Sequence, residues 1–149
     1  MFAEAMRGDG YRSYRIRLEN LLGIPCEASD QDIHKMIESG FPRFRLKELC
    51  DRYELRASEP NKIMARRASR IRIARNQRLT LSESDQLFRY VHIMALTEVI
   101  FGDETKARRW LSKSKDRFAG KNPLEMLSTI AGTRAVEVML IQVAEPFAL

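Results

Sequence analysis

The sequence predicts an all-α protein, and three observations support that prediction. Apolar residues recur three and four positions apart in almost every segment, capping residues precede these segments, and glycine or proline follows them. No segment has the apolar–polar alternation of a half-buried strand. With 149 residues, of which 44% are hydrophobic and 31% charged, the chain is long enough for one domain or two small ones with an ordinary globular core.

Three helices are predicted in the first third of the chain. Apolar residues at helical spacing cover residues 11–22, and Gly23 ends that helix. Ser29 is a suitable N-cap for a second helix, which Gly40 ends. A third helix follows Pro42, and its apolar stripe consists of Leu46, Leu49, Cys50 and Tyr53.

The middle of the chain is predicted to form two short helices and then the longest helix. The first short helix starts at Pro60, where a missing N–H does no harm, and the second covers residues 69–77. Ser82 is predicted to cap the longest helix, which reaches Ile100. Its predicted buried residues include Leu87, Val91, Met94 and Val99.

Three more helices are predicted after residue 101, with a loop over residues 112–121 behind the first of them. Asn122 is followed by Pro123 and Glu125, which is the arrangement of a capping box with proline at the first helical position. The predicted starts of the three helices are Asp103, Asn122 and Thr133, and the predicted ends lie near Leu111, Gly132 and Ala144.

The net charge of +6 is concentrated in residues 60–82, which we call the basic island. The basic island holds seven cations and no acidic residue, whereas the rest of the chain carries 19 cations and 20 anions. Such a segment indicates one surface that faces a polyanion. Two short helices around a tight turn, the second rich in arginine, are typical of a helix-turn-helix that contacts DNA. The candidate DNA-binding residues are Arg66, Arg67, Arg70, Arg72, Arg75 and Arg78.

A solvated basic face is the alternative interpretation of the same residues. Salt bridges within the helices cannot explain the basic island, because no acidic residue occurs over its 23 positions. Nucleic-acid contact is therefore the favoured interpretation, although the turn lacks the usual glycine.

Catalytic chemistry has little support in the sequence. His34 and His92 lie in helices without a catalytic or metal-binding motif, and no phosphate loop or nucleophile elbow occurs. Cys26 is interpreted as a small half-buried residue rather than a nucleophile. We therefore expect no enzyme activity, no metal and no cofactor. With two distant cysteines, no secretory signal and no apolar run long enough for a bilayer, the protein is expected to be soluble, free of the membrane and cytoplasmic.

A longer pattern carries a family resemblance. LLGIP starts at Leu21, Gly40-Phe41-Pro42 follows, and Arg78-Leu79 stands after the basic island. The most specific part lies in residues 101–132, which read FGDETKARRWL and then NPLEMLST and AG. In order and spacing the chain resembles the Xre/MbcA/ParS family of type II antitoxins over about residues 20–144. The family's Gly-Ile-Ser turn before the recognition helix is replaced here by Met64-Ala65-Arg66.

The resemblance implies a function and a domain organisation. Members of the family neutralise a cognate toxin, commonly a RES-domain protein that destroys NAD or transfers ADP-ribose from it. They dimerise, bind the toxin through a C-terminal domain and often repress their own operon through an Xre-like domain. For this chain the expected parts are an N-terminal extension with the first helix (1–20), an Xre-like helix-turn-helix domain (21–100) and a small helical toxin-binding domain (101–149), the last two joined by the long helix.

Toxin contact is expected from a set of apolar and basic residues near the C-terminus. Trp110 and Leu127 are also open to interpretation as core residues, and the loop cations as solvated ones. Phe147 and Leu149 follow Pro146 and either plug a cleft of the partner or form a dispensable end. The candidate toxin-binding residues are Trp110, Lys113, Lys121, Leu140, Phe147 and Leu149.

The leading hypothesis is that the chain occludes the active site of a RES-type toxin and binds operator DNA. A stand-alone Xre-like repressor without a toxin is the alternative. The long helix is a candidate dimer element, since its apolar content exceeds what a one-sided surface helix needs. A homodimer within a higher-order toxin–antitoxin complex is therefore expected.

Overall fold

Six α-helices and two short 3-10 helices form the part of the chain that the computed structural model describes, residues 8–53 and 78–145. In these ranges no strand occurs, and one isolated bridge joins Pro42 to Arg78. The prediction of an all-α fold is confirmed. The α-helices are α1 (Asp9–Leu22), α2 (Asp30–Ser39), α3 (Arg43–Tyr53), α4 (Leu81–Phe101), α5 (Glu104–Ser112) and α6 (Ile130–Ala144), with the 3-10 helices Asp116–Phe118 and Pro123–Ser128 between α5 and α6.

Most helix ends lie where the sequence predicts them. Gly23 and Gly102 end α1 and α4 in the left-handed conformation, with φ of 70° at each. This conformation is accessible to glycine without a steric penalty. Ser29 and Asn122 each form a capping box, in which the side chain accepts a backbone N–H and a carboxylate three residues on accepts the N–H of the cap.

The start of α4 differs from the prediction, because Thr80 and not Ser82 is its N-cap. The Thr80 side chain accepts from Glu83 N at 3.1 Å, and the Glu83 carboxylate accepts from Thr80 N at 3.3 Å. The Leu79 N–H donates to the Phe41 carbonyl at 2.9 Å, which holds the chain extended up to Thr80. The helix therefore begins immediately afterwards, and Ser82 lies in its first turn.

The start of α6 also differs from the prediction. Gly132 does not end a helix, and Thr133 does not cap the next one, because both lie in the first turn of α6. The N-cap is Thr129, whose hydroxyl accepts from Gly132 N at 2.9 Å. Glycine is needed at position 132 for space, since a Cβ there would lie 1.9 Å from the Met126 carbonyl oxygen. The segment before Thr129 is a 3-10 helix that ends at Ser128.

Helix α4 is the centre of the fold and contacts α1, α2, α5, α6 and the second 3-10 helix. Its side chains from Tyr90 to Glu98 are buried on every face, whereas Val99, a predicted core residue, is half-buried. Contacts within the chain thus account for the high apolar content of this helix, so its composition no longer argues for a dimer. Dimerisation itself stays a prediction.

One hydrophobic cluster runs through the described residues, from Tyr14 and Leu18 on α1 to Val136 and Leu140 on α6. The cluster crosses residue 100, where the sequence analysis divides two domains, because α4 supplies core residues to both sides. The domain limits at residues 20 and 100 remain predictions.

Length and hydropathy decide whether any of the described helices could cross a membrane. None of them is long and apolar enough by itself to cross a membrane. The pair 116–128 and 130–144 reaches those values only when both members are taken together, and it is bent by 117°.

Candidate functional site

Residues 60–77 of the basic island lie outside the described residues. Arg66, Arg67, Arg70, Arg72 and Arg75 belong to that undescribed part, and so does the predicted helix-turn-helix. Arg78 is described, and its Nη1 donates to the Gly40 carbonyl at 2.8 Å. This hydrogen bond therefore joins the segment before α4 to the end of α2 and stabilises the fold. DNA contact by all six arginines stays a prediction.

The outer face of α5 is a cationic helical surface. Asp103 caps the helix by accepting from Thr105 N at 3.1 Å, and Ala107 and Leu111 are buried against the core. This fixes the rotation of the helix, so positions 106, 109 and 113 lie on the solvent side at a spacing of three and four residues. The exposed side chains there are Lys106, Arg109 and Lys113.

Trp110 lies between these cations and forms the floor of a shallow groove. The groove has a volume of about 260 Å³ and is lined by Phe101, Lys106, Arg109, Trp110 and Lys113. The rings of Phe101 and Trp110 are 6.0 Å apart and tilted by 43°. We call this feature the Trp110 groove. Trp110 is half-buried, so it belongs to the edge of the core and to the surface at the same time.

A further cation adds to the positive charge at the Trp110 groove. The Lys115 Nζ lies 4.8 Å from the centroid of the Trp110 ring, which is a cation–π distance. Burial lowers the pKa of Lys115 below its usual value, and the nearby charge of Lys113 lowers it further. In residues 8–53 and 78–145 no carboxylate forms an ion pair with Lys106, Arg109, Lys113 or Lys115.

The outer face of α6 is a second exposed surface in this part of the molecule. Ile130 and Val138 have exposed fractions of 60% and 49%, and Arg134 between them is also exposed. Gln142 accepts a short hydrogen bond from Arg117 Nη1, which ties the loop after α5 to the end of α6. The face therefore alternates between apolar and polar side chains along the helix.

The six candidate toxin-binding residues differ in burial, and two of them lie outside the described residues. Leu140 was predicted to contact the toxin, but it is 0% exposed and packs into the core, as Leu127 does. Position 140 lies one turn after Val136, on the buried face of α6, so the structure gives Leu140 a role in the core, and its contact with the toxin stays an untested prediction. Lys113 and Lys121 are exposed, and Trp110 is half-buried. Phe147 and Leu149 lie outside the described residues.

A largely buried polar trio, which no sequence pattern above predicted, joins three helices. The Tyr14 hydroxyl lies 2.6 Å from His92 Nδ1, and His92 Nε2 lies 2.8 Å from Glu137 Oε1. A carboxylate can only accept, so Nε2 carries a proton, and the direction of the bond between Nδ1 and the tyrosine hydroxyl follows the proton on Nδ1. The signal in the sequence was a histidine within the apolar run VHIMAL, since a buried histidine needs hydrogen-bond partners.

His34 and Cys26, the other residues considered for catalysis or metal binding, each contact a glutamate. His34 is exposed and lies 3.0 Å from Glu38 on the same helix. The Cys26 thiol donates to Glu19 at 2.8 Å, and this hydrogen bond raises its pKa, which disfavours the thiolate. Among the described residues no group of three histidine, cysteine, aspartate or glutamate side chains could hold a metal ion.

Comparison with known proteins gives two findings. Residues 96–145 match the sequence model of a family described as the antitoxin Xre/MbcA/ParS C-terminal toxin-binding domain. Those residues contain the Trp110 groove and the outer face of α6. The chain is also similar to the protein named Antitoxin Xre of Pseudomonas putida strain KT2440, with 48% identity over 149 residues, which is 100% of this chain and 94% of that protein.

Proposed function

Because the chain belongs to the Xre/MbcA/ParS family of antitoxins, we propose that it neutralises a RES-type, NAD-consuming toxin by binding it and occluding its active site. Membership in the family makes the chain an antitoxin of a toxin–antitoxin system and confirms the resemblance found in the sequence. The identity of the toxin and the mode of inhibition are the proposal. The choice of a RES-domain toxin rests on that resemblance.

The observation that carries the proposal is the match of residues 96–145 to a toxin-binding domain. This segment presents two surfaces that its own core leaves uncovered, the Trp110 groove and the outer face of α6. An antitoxin that blocks a pocket needs a binding surface and no chemistry of its own. No catalytic role is therefore proposed for the chain.

Occlusion is proposed to involve the end of the chain. Helix α6 continues to Ala144, and the N–H of Glu145 still donates to the Ile141 carbonyl. Phe147 and Leu149 come directly afterwards, at the end of the helix whose outer face carries the exposed Val138. Two apolar side chains that follow this helix in the sequence are suited to enter a substrate pocket.

Co-expression with the product of the adjacent reading frame tests this proposal. Deleting only residues 146–149 is expected to leave folding unchanged and to let the toxin deplete cellular NAD. A longer deletion from residue 133 is unsuitable, because it removes the buried Val136 and Leu140. Full neutralisation by the short deletion would contradict occlusion by the tail, and an adjacent product without a RES domain would contradict the choice of toxin.

We also propose that the basic island binds operator DNA as part of a homodimer, so that the antitoxin represses its own operon. Both proposed partners are cytoplasmic, and so is the proposed place of action. Neutralising Arg70 or Arg75 should weaken operator binding and flatten the log–log salt slope by about one unit for each lost phosphate contact. Arg12→Ala, an exposed arginine of α1, is the matched control. An unchanged slope would contradict phosphate contact.

A further inference from the structure

The Trp110 groove concentrates positive charge that its surroundings do not neutralise. Elsewhere on α5 charges are paired, since Arg108 Nη2 lies 2.5 Å from Glu104 Oε1 and Arg52 lies 3.8 Å from the same carboxylate. The groove cations have no such partner in the described part of the chain. Like charges at neighbouring positions repel each other, so an anionic partner would stabilise this arrangement.

The helix dipole explains only part of this arrangement. Cations near the C-terminus of a helix are favoured, which accounts for Arg109 in the last turn of α5 and for Lys113 just after it. Lys106 is the third residue of α5, at the positive end, where the dipole disfavours a cation. The position of Lys106 therefore needs another reason.

An aromatic floor adds a second requirement for the occupant. Trp110 and Phe101 are half-buried, and together they offer a ring surface beside the three cations. Tryptophan and arginine are among the residue types most enriched at the positions that dominate binding energy at protein interfaces. A solvated basic face has no need of a tryptophan at its centre.

We propose that the Trp110 groove receives an acidic segment of the toxin, with aspartate or glutamate side chains next to Lys106, Arg109 and Lys113 and an apolar side chain on Trp110. The inference rests on the proposed function and specifies which part of the surface holds the toxin. A protein occupant is favoured over nucleic acid because the groove lies within residues 96–145, the segment that matches a toxin-binding domain. The basic island is a separate segment.

Trp110 is the only tryptophan of the chain, so it reports on the groove directly. The full-length chain is labelled with 5-fluorotryptophan and titrated with the unlabelled product of the adjacent reading frame. Its single fluorine resonance is expected to shift as the complex forms, because the indole ring becomes covered. A resonance that keeps its chemical shift in a complex proven by gel filtration would overturn the proposal.

Charge reversal tests whether the cations of the Trp110 groove contribute to toxin binding. The double variant Lys106→Glu/Arg109→Glu is compared with Lys35→Glu/Lys47→Glu, which changes the net charge equally at exposed positions on α2 and α3. We expect the groove variant to bind the toxin roughly ten-fold more weakly or worse, and the control to stay within about two-fold of the unmodified chain. Circular dichroism checks folding, and Lys106→Gln/Arg109→Gln should give a smaller loss.

The outcomes separate this proposal from the proposed function. If the toxin binds and both groove variants bind as tightly as the control, the groove proposal is wrong and the antitoxin role stands. If the unmodified chain does not bind the toxin, both proposals fail. If the groove variants lose operator binding and keep toxin binding, the groove serves nucleic acid, which also overturns the proposal.

Discussion

Single residues hold the helices of this antitoxin together through buried polar contacts. His92 of α4 is 3% exposed and contacts Tyr14 of α1 and Glu137 of α6. Its partners lie 78 and 45 positions away in the sequence. Helical periodicity predicts which face of a helix is buried, but it does not predict which helix packs there. The need for partners was therefore visible in the sequence, whereas their identity required the fold.

Removal of the Tyr14 hydroxyl gives a prediction at this scale. Tyr14→Phe leaves the His92 ring without one partner in a buried site, so the free energy of unfolding should fall by roughly 1–3 kcal/mol. Urea denaturation at neutral pH measures this loss. In the control Tyr11→Phe, the lost hydroxyl accepts one part-buried bond from Arg15, and Arg15 keeps its bonds to the Pro25 and Ala28 carbonyls. The control should therefore lose about 1 kcal/mol or less.

The same tyrosine predicts how stability depends on alkaline pH. Burial raises the pKa of Tyr14 well above its ordinary value of 10.0. Its contribution to stability is therefore fully present below about pH 10 and is lost above it, because the unfolded chain releases a proton that the folded chain keeps. The difference in unfolding free energy between the unmodified chain and Tyr14→Phe should shrink by up to ~1.4 kcal/mol per pH unit. A constant difference from pH 8 to pH 11 would contradict this account.

Gly132 gives a second residue-level prediction. Its backbone lies against Met126, and a Cβ would approach the Met126 carbonyl oxygen to 1.9 Å. Gly132→Ala should therefore lower the free energy of unfolding by several kcal/mol, on the order of 2–4, because backbone has to move. Thermal unfolding measures this loss of stability. The control is Ala131→Ser, at an exposed position in the same turn, and its stability should change little. Equal stability of both variants would show that the close contact is absent.

At the scale of elements, the sequence predicts which helices exist better than where they begin. The N-caps Ser29, Asp103 and Asn122 agree with the sequence prediction. Two residues are possible N-caps at the start of α4, because Thr80 and Ser82 are each followed by an acidic residue three positions later. The hydrogen bond from Leu79 N to the Phe41 carbonyl decides in favour of Thr80. That contact is long-range, so the local pattern could not reveal it.

The two faces of α6 are predicted to respond differently to truncation. Leu140 is 0% exposed, and Leu140→Ala should lower the free energy of unfolding by about 2–5 kcal/mol. Val138, with an exposed fraction of 49%, is the matched control, and Val138→Ala should change stability by less than about 0.5 kcal/mol. If Leu140→Ala keeps full stability, the assignment of the buried face of α6 is wrong.

At the scale of the whole molecule, α4 unites the two regions that the sequence analysis treats as separate domains. Its side chains are buried by helices from both sides, so the N-terminal helices and the toxin-binding segment share one cluster. The sequence suggested an interface between chains because hydropathy reveals that a helix is buried and does not reveal what covers it. The burial of the candidate toxin-binding residues was only partly predictable for the same reason, since Leu140 is in the core and Trp110 is half-buried.

The central claim is that this antitoxin binds its toxin through the Trp110 groove and the outer face of α6. Hydrogen–deuterium exchange of the full-length chain, with and without the product of the adjacent reading frame, measures this directly. The account predicts slower exchange in α5 and in the C-terminal half of α6, with α2 and α3 unchanged. Protection confined to α2 and α3, with none after residue 104, would contradict it.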